Sequence, residues 1–134
     1  MPNAPNPLTP KQTLLLILLP MLITFASLRL YLHLTGVRHI YPAGHLIHHL
    51  FLGVLIEIPA AFILAFGSRT RLAERLAPVA LGIGSALILD EVTYLALTNA
   101  TDADYVSRVS LYGAIAFISA AAILLLALYW SHRD

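Results

Sequence analysis

The sequence predicts an all-α integral membrane protein, an up-down bundle of four transmembrane helices. Three observations carry this prediction: the apolar composition, the number of long apolar stretches, and the short connections between them. Of the 134 residues, 59% are hydrophobic and 11% are charged, and the mean hydropathy is +0.81. Soluble domains carry about 25% charged residues. Because a water-soluble fold of this size would need more polar surface, lipid is the expected solvent.

Each predicted span has about the 20 apolar residues that a helix needs to cross the hydrocarbon core. The spans are Thr13–Leu34, His45–Phe66, Leu76–Leu97 and Val106–Trp130. The connections are short and rich in turn-forming residues, so consecutive helices are expected to pack as antiparallel neighbours. The sequence therefore predicts one transmembrane domain, residues 13–130, between a flexible tail of residues 1–12 and a short tail of residues 131–134.

Lys and Arg are unevenly distributed between the two predicted sides of the membrane. One side holds Lys11, Arg69, Arg71, Arg75 and Arg133. The other side holds Arg29, Arg38 and Arg108. Since cytoplasmic connections carry an excess of these residues, the first side is predicted to be cytoplasmic, together with both termini. We expect a multi-pass protein of the plasma (inner) membrane.

Charge and cysteine content limit the chemistry that is open to the chain. The net charge is +1, and no cluster of basic residues alternates with aromatic ones, so nucleic acid is not an expected partner. The absence of cysteine removes disulfides, thiolate metal sites and cysteine nucleophiles. The expected partner is the lipid bilayer. Small residues in the third and fourth spans predict close helix packing within the bundle, with a homodimer face as the alternative.

Polar residues of the four spans gather near one predicted membrane face. Arg29 ends the first span, and a histidine cluster begins the second. The third span ends, and the fourth begins, with further polar groups at this level: Asp90, Glu91 and Tyr94, then Tyr105 and Arg108. With a rise of 1.5 Å per residue, the deepest of them lie roughly 6–10 Å below the interface. Ionisable residues at this depth are costly and usually functional, so their common level predicts a site.

A metal site is the leading interpretation of this convergence. Neutral imidazole and carboxylate are common ligands for zinc and iron, and helix bundles often build metal sites from them. Histidines three or four residues apart share one helix face. The predicted ligands of a divalent zinc or iron ion are His45, His48, His49, Asp90 and Glu91. Asp90 and Glu91 differ by about 100° around the helix axis, so one of them can face the site while the other faces a helix contact.

The predicted chemistry is that of a metal-dependent hydrolase or oxidase acting on a lipid-like or anionic small molecule. A metal-bound water would be the nucleophile, with Glu91 or Glu57 as the base. Tyr94 and Arg108 complete the predicted catalytic set, and a guanidinium at this level would hold an anionic group such as a phosphate.

Three alternatives compete with the metal hypothesis. A buried ion-pair network can specify packing without any chemistry. A small oligomeric transporter or proton-coupled carrier would use Glu57 at mid-membrane as its essential carboxylate. A non-catalytic membrane scaffold is the third alternative. The tyrosines and the tryptophan at the span ends are predicted to form interfacial aromatic belts, and these are Tyr41, Tyr105, Tyr129 and Trp130.

Overall fold

A computed structural model of the chain describes residues 8–37, 47–67 and 70–132. Within these ranges the chain is helical, without strands. The helices are α1 (Pro10–Thr35), α2 (His49–Phe66), α3 (Arg71–Leu97), α4 (Asp102–Tyr105) and α5 (Arg108–Ser131). The four long helices are each long and apolar enough to cross a membrane, and they run up and down in sequence. This confirms the predicted all-α, four-helix membrane fold, and four such helices fit a multi-pass membrane protein.

The boundaries of the helices differ from the predicted spans mainly where polar residues extend a helix. α1 begins at Pro10 after a capping box of Thr9 and Gln12, because this pair satisfies backbone N–H groups of the first turn. α3 begins at Arg71 rather than Leu76, and Thr70 caps its first turn through Ala73 N–H. The predicted start of α2 at His45 lies outside the described residues, as do Arg38, Arg69 and Arg133 from the charge count.

The third connection, between α3 and α5, contains one helical turn, α4. Thr101 and Asp104 form a reciprocal capping box around α4. The turn ends at Tyr105, whose side chain is buried between the helices. This single turn therefore directs a tyrosine into the bundle just before α5 begins.

The centre of the bundle is α3, which packs against α1, α2 and α5. Its buried face includes the small residues Ala77, Gly82, Gly84 and Ala86, and these allow the close approach that helices in lipid need. A Cβ on Gly82 would overlap the carbonyl oxygen of Ile17 in α1, and a Cβ on Gly53 of α2 would lie 2.8 Å from the Gly84 carbonyl oxygen. Glycine is therefore required by both helix contacts, which agrees with the packing prediction for α3.

The position of α2 is peripheral. Within the described ranges its main packing partner is α3, and its buried residues are Gly53 and Ala60. The rest of the helix exposes large apolar side chains, including Phe51, Leu55 and Phe62. These side chains suit contact with lipid tails, so α2 is attached to the bundle mainly through one seam with α3.

Candidate functional site

The polar residues converge at one end of the bundle and form a single connected network. Its members come from α1, from the start of α2, from α3, from α4 and from the start of α5. They are Arg29, His48, His49, Asp90, Glu91, Tyr105 and Ser110. The common level that the sequence predicted for these helix ends is therefore present in the structure.

Asp90 is fully buried and is held by a guanidinium and a phenol. Arg29 Nε donates to Asp90 Oδ1 at 2.5 Å, and Arg29 Nη2 donates to the Asp90 carbonyl oxygen at 3.1 Å. Tyr105 donates its hydroxyl proton to Asp90 Oδ2 at 2.9 Å. Each carboxylate oxygen therefore has a strong donor. A charge buried in this way is tolerated because it is both paired and hydrogen-bonded.

Arg29 connects α1 with three other helices. Besides Asp90 of α3, its guanidinium donates to the Tyr105 carbonyl oxygen at 3.2 Å and to Ser110 Oγ at 3.1 Å. The cation also lies over the Tyr105 ring, 5.4 Å from its centroid. The rigid, multidentate guanidinium suits this role better than a lysine would. Arg29 therefore ties the ends of α1, α3, α4 and α5 together.

Glu91 faces α2 instead of α1. His48 Nδ1 lies 2.5 Å from Glu91 Oε1, and the Leu50 backbone N–H donates to Glu91 Oε2 at 2.8 Å. His48 is the N-cap residue of α2, and its own side chain makes no capping bond. The carboxylate of Glu91 thus caps α2 from a neighbouring helix. The positive end of the α2 dipole favours an anion at this position.

His49 lies between the two carboxylates. Its Nε2 is 3.2 Å from Asp90 Oδ2, and its Nδ1 is 3.5 Å from Glu91 Oε2. Both ring nitrogens are also within 3.2 Å of the Tyr105 hydroxyl oxygen, so the tautomer of the imidazole decides which bond forms. His49 is therefore the link between the Asp90 and Glu91 halves of the network.

Tyr105 is a central member of the network. The sequence predicted instead that this tyrosine belongs to the interfacial aromatic belt. That assignment is wrong, because its ring is buried and packs on Tyr94 with centroids 4.7 Å apart. Burial, followed by the nearby negative charge of Asp90, raises the pKa of the Tyr105 phenol above its ordinary value. The hydroxyl is therefore a neutral donor. The capping box of Thr101 and Asp104 was the one sequence signal of a helical turn immediately before Tyr105.

The other predicted catalytic residues lie outside the carboxylate network. Tyr94 donates its hydroxyl to the Ala100 carbonyl oxygen at 2.7 Å, so it supports the turn after α3, where Ala100 has a positive φ of 57°. Arg108 is exposed at the start of α5 and makes no ion pair with an acid within the described ranges. Glu57 lies deeper on α2, near Ser85 of α3.

The predicted metal ligands fall into two groups. His48, His49, Asp90 and Glu91 meet, whereas His45 lies outside the described residues. Across residues 8–37, 47–67 and 70–132, no group of three or more His, Asp or Glu side chains is arranged to hold a metal ion. The physical reason is visible at Asp90, because Arg29 and Tyr105 already occupy its two oxygens.

Comparison of the chain with models of known families, with curated proteins and with solved structures finds no significant match in any of the three.

Proposed function

We propose that the chain is a multi-pass membrane protein that translocates protons, as a proton-coupled carrier does, and that His48, His49 and Glu91 take up and release the proton. One observation carries this proposal. His49 approaches both carboxylates, but Asp90 also has the Arg29 guanidinium as a permanent counter-charge, whereas the side-chain partners of Glu91 are imidazoles alone. Arginine keeps its charge at all relevant pH values, but histidine gains or loses its charge between about pH 5 and pH 8.

The charges of the network support a proton in preference to a larger cation. With both imidazoles neutral, Arg29, Asp90 and Glu91 sum to one negative charge. A single proton on the imidazole–carboxylate group brings this sum to zero, which a low-dielectric surrounding favours. A divalent ion would instead leave one positive charge. The network is therefore balanced for the binding of one proton.

The exposure of His48 and the packing of α2 on α3 indicate how a bound proton would change the structure. The His48 side chain is 23% exposed, whereas Asp90 is fully buried, so protons reach the site from the His48 side. A protonated His48 pairs with Glu91 and holds the start of α2 against α3. Loss of that proton weakens the attachment of a helix that has α3 as its main partner. Proton binding would thus be coupled to the position of α2.

Proton flux into lipid vesicles tests this proposal. Purified protein is reconstituted with an internal pH-sensitive dye, and an external pH step is applied. Wild-type protein should accelerate equilibration relative to protein-free vesicles, while His48→Gln and Glu91→Gln should return the rate to that of empty vesicles. His132→Gln is the matched control, because His132 is exposed at the end of α5.

Two outcomes would overturn the proposal. The first is a wild-type rate equal to that of protein-free vesicles. The second is unchanged flux in both His48→Gln and Glu91→Gln. If these variants alter only the thermal stability of the protein, the non-catalytic scaffold becomes the better hypothesis.

A zinc or iron site is the second candidate function. It is favoured by the approach of His48 and His49 ring nitrogens to Glu91 oxygens, within 2.5–3.5 Å. His45 would have to join them as a further ligand. Elemental analysis of protein purified without chelator tests this: stoichiometric metal that is lost in His48→Gln and kept in His132→Gln would support it. The hydrolase or oxidase hypothesis for a lipid-like substrate depends on the same result.

A further inference from the structure

A second carboxyl group lies on the same seam between α2 and α3, closer to the middle of the bundle. His49, Gly53 and Glu57 follow one another at intervals of four residues, so they share the α2 face that packs on α3. A rise of 1.5 Å per residue places Glu57 roughly 12 Å along the helix axis from His49. This separation makes Glu57 a distinct site rather than a member of the terminal network.

Close helix contact fixes the position of Glu57. A Cβ built on Gly84 of α3 would lie 2.9 Å from the Glu57 Cβ and 2.9 Å from the Gly53 carbonyl oxygen. The absence of a side chain at Gly84 therefore creates the space in which the Glu57 side chain begins. The neighbouring residue, Ser85, lies near the carboxyl group.

The surroundings of Glu57 contain no counter-charge on the two helices that form the seam. Between Arg75 and Asp90, α3 carries no titratable side chain, and the only other titratable residue of α2 is His49, about two turns away. Glu57 Oε2 is buried and has no hydrogen-bond partner among the described residues. An ionised carboxylate would leave that oxygen charged and unsatisfied in an apolar surrounding, which is far more costly than a neutral acid.

We propose that Glu57 is a second proton-binding site, occupied by a proton at neutral pH, and that the α2–α3 seam holds two proton sites in series. The existence of the second site stands on the geometry around Glu57, while its place in a transport path rests on the proposed function. In that path, protons enter at His48 and Glu91 and reach the Glu57 carboxyl group when the seam at Gly53 and Gly84 loosens.

Labelling with a hydrophobic carbodiimide tests the site directly, because this reagent adds to protonated carboxylic acids in apolar surroundings. The wild-type protein in lipid nanodiscs should gain one adduct, and peptide mapping should place it on Glu57. The ion-paired Asp90 and Glu91 should stay unmodified. Glu57→Gln should lose the adduct, and Glu74→Gln, the same substitution in the first turn of α3, should keep it.

The mapping on wild-type protein keeps the test decisive even if Glu57→Gln fails to fold. No adduct on Glu57, or equal labelling of Glu57 and Glu74, overturns the second site. The vesicle assay then separates the two proposals. An adduct on Glu57 without proton flux in wild-type vesicles rejects the transport function and keeps the binding site. Flux that survives in Glu57→Gln rejects the place of Glu57 in the path.

Discussion

Helix α3 forms two seams, one with α1 and one with α2, and the same kinds of residue lie in both. Towards α1, Gly82 allows close contact and Asp90 pairs with Arg29. Towards α2, Gly84 allows close contact and Glu91 pairs with His48. Both seams therefore combine a glycine contact with a buried acid. They differ in the partner of that acid, since one partner has a permanent charge and the other can lose its charge.

This difference follows from the position of two neighbouring residues on one helix. Asp90 and Glu91 are separated by about 100° around the axis of α3, so they face different helices. The α1 seam is suited to hold the bundle together at every pH. The α2 seam, with its imidazoles and with the partly unsatisfied Glu57, is suited to respond to protons. Substitutions on each seam test that division of roles.

Replacing each acid by its amide compares the two seams directly. Asp90→Asn leaves the Arg29 guanidinium without its counter-charge, and breaking a buried pair in this way costs about 3–5 kcal/mol of unfolding free energy. Glu91→Gln should cost roughly 0.5–1.5 kcal/mol, because the amide oxygen can still accept from the Leu50 N–H while the amide NH2 group donates to Nδ1 of neutral His48. Denaturant titration in detergent micelles measures both. Equal losses would contradict the proposed division.

Gly82→Ala tests the close contact on the α1 seam. The added Cβ would overlap the backbone carbonyl of Ile17, which cannot rotate away as a side chain can. Overpacking of this kind costs about 1–3 kcal/mol. The same denaturant titration measures the loss. If this variant had the same unfolding free energy as the wild type, the backbones of α1 and α3 could not be in close contact at Gly82.

Tyr105→Phe removes the hydroxyl that bonds Asp90, at a cost of about 0.5–1.5 kcal/mol near neutral pH. The native pKa of Tyr105 is raised by burial and by Asp90, so the folded protein keeps the phenol proton while an unfolded tyrosine loses it near pH 10. The wild type should therefore lose stability as the pH rises above about 10, by up to about 1.4 kcal/mol per pH unit from this group.

Tyr105→Phe should lack that contribution, so its unfolding free energy should fall less steeply across the alkaline range than that of the wild type. Parallel slopes for the two proteins would mean that Tyr105 is not buried beside Asp90.

Arg108→Met is the control for the arginines and has the smallest expected effect. Arg108 is exposed and pairs with none of the described acids, so its replacement should change the unfolding free energy by no more than about 0.5 kcal/mol. Proton flux should also match the wild type. A large loss of flux with normal stability would restore Arg108 to the functional set that the sequence predicted.

Much of the fold was predictable because its signals are local. Apolar stretches of membrane length predicted all four long helices, and short connections predicted their antiparallel order. Small residues such as Gly82 and Gly84 marked the packed face of α3. The common depth of the polar groups predicted where a site would form. Each of these features depends on spacing along the chain, which a sequence shows directly.

The pairing within the site was not predictable in the same way. The sequence predicted that Tyr105 is an interfacial aromatic residue. Its inward direction could not be predicted because it depends on the α4 turn and on where that turn meets α3. Tyr94 shares a helix face with Asp90, yet its hydroxyl bonds Ala100 because the chain turns back beneath it. A partner from another helix depends on how the helices rotate and cross, and spacing along one helix does not fix that.

The sequence by itself thus determined a membrane bundle that carries its ionisable groups at one end. It did so because hydropathy and helical rise act along a single segment. Only the tertiary structure decided that Asp90 meets a guanidinium while the side-chain partners of Glu91 are imidazoles alone, and that one Glu57 oxygen has no partner among the described residues. Those pairings depend on how α1 and α2 pack on different faces of α3, because a step of one residue turns the side chain by about 100° and changes the helix that it faces.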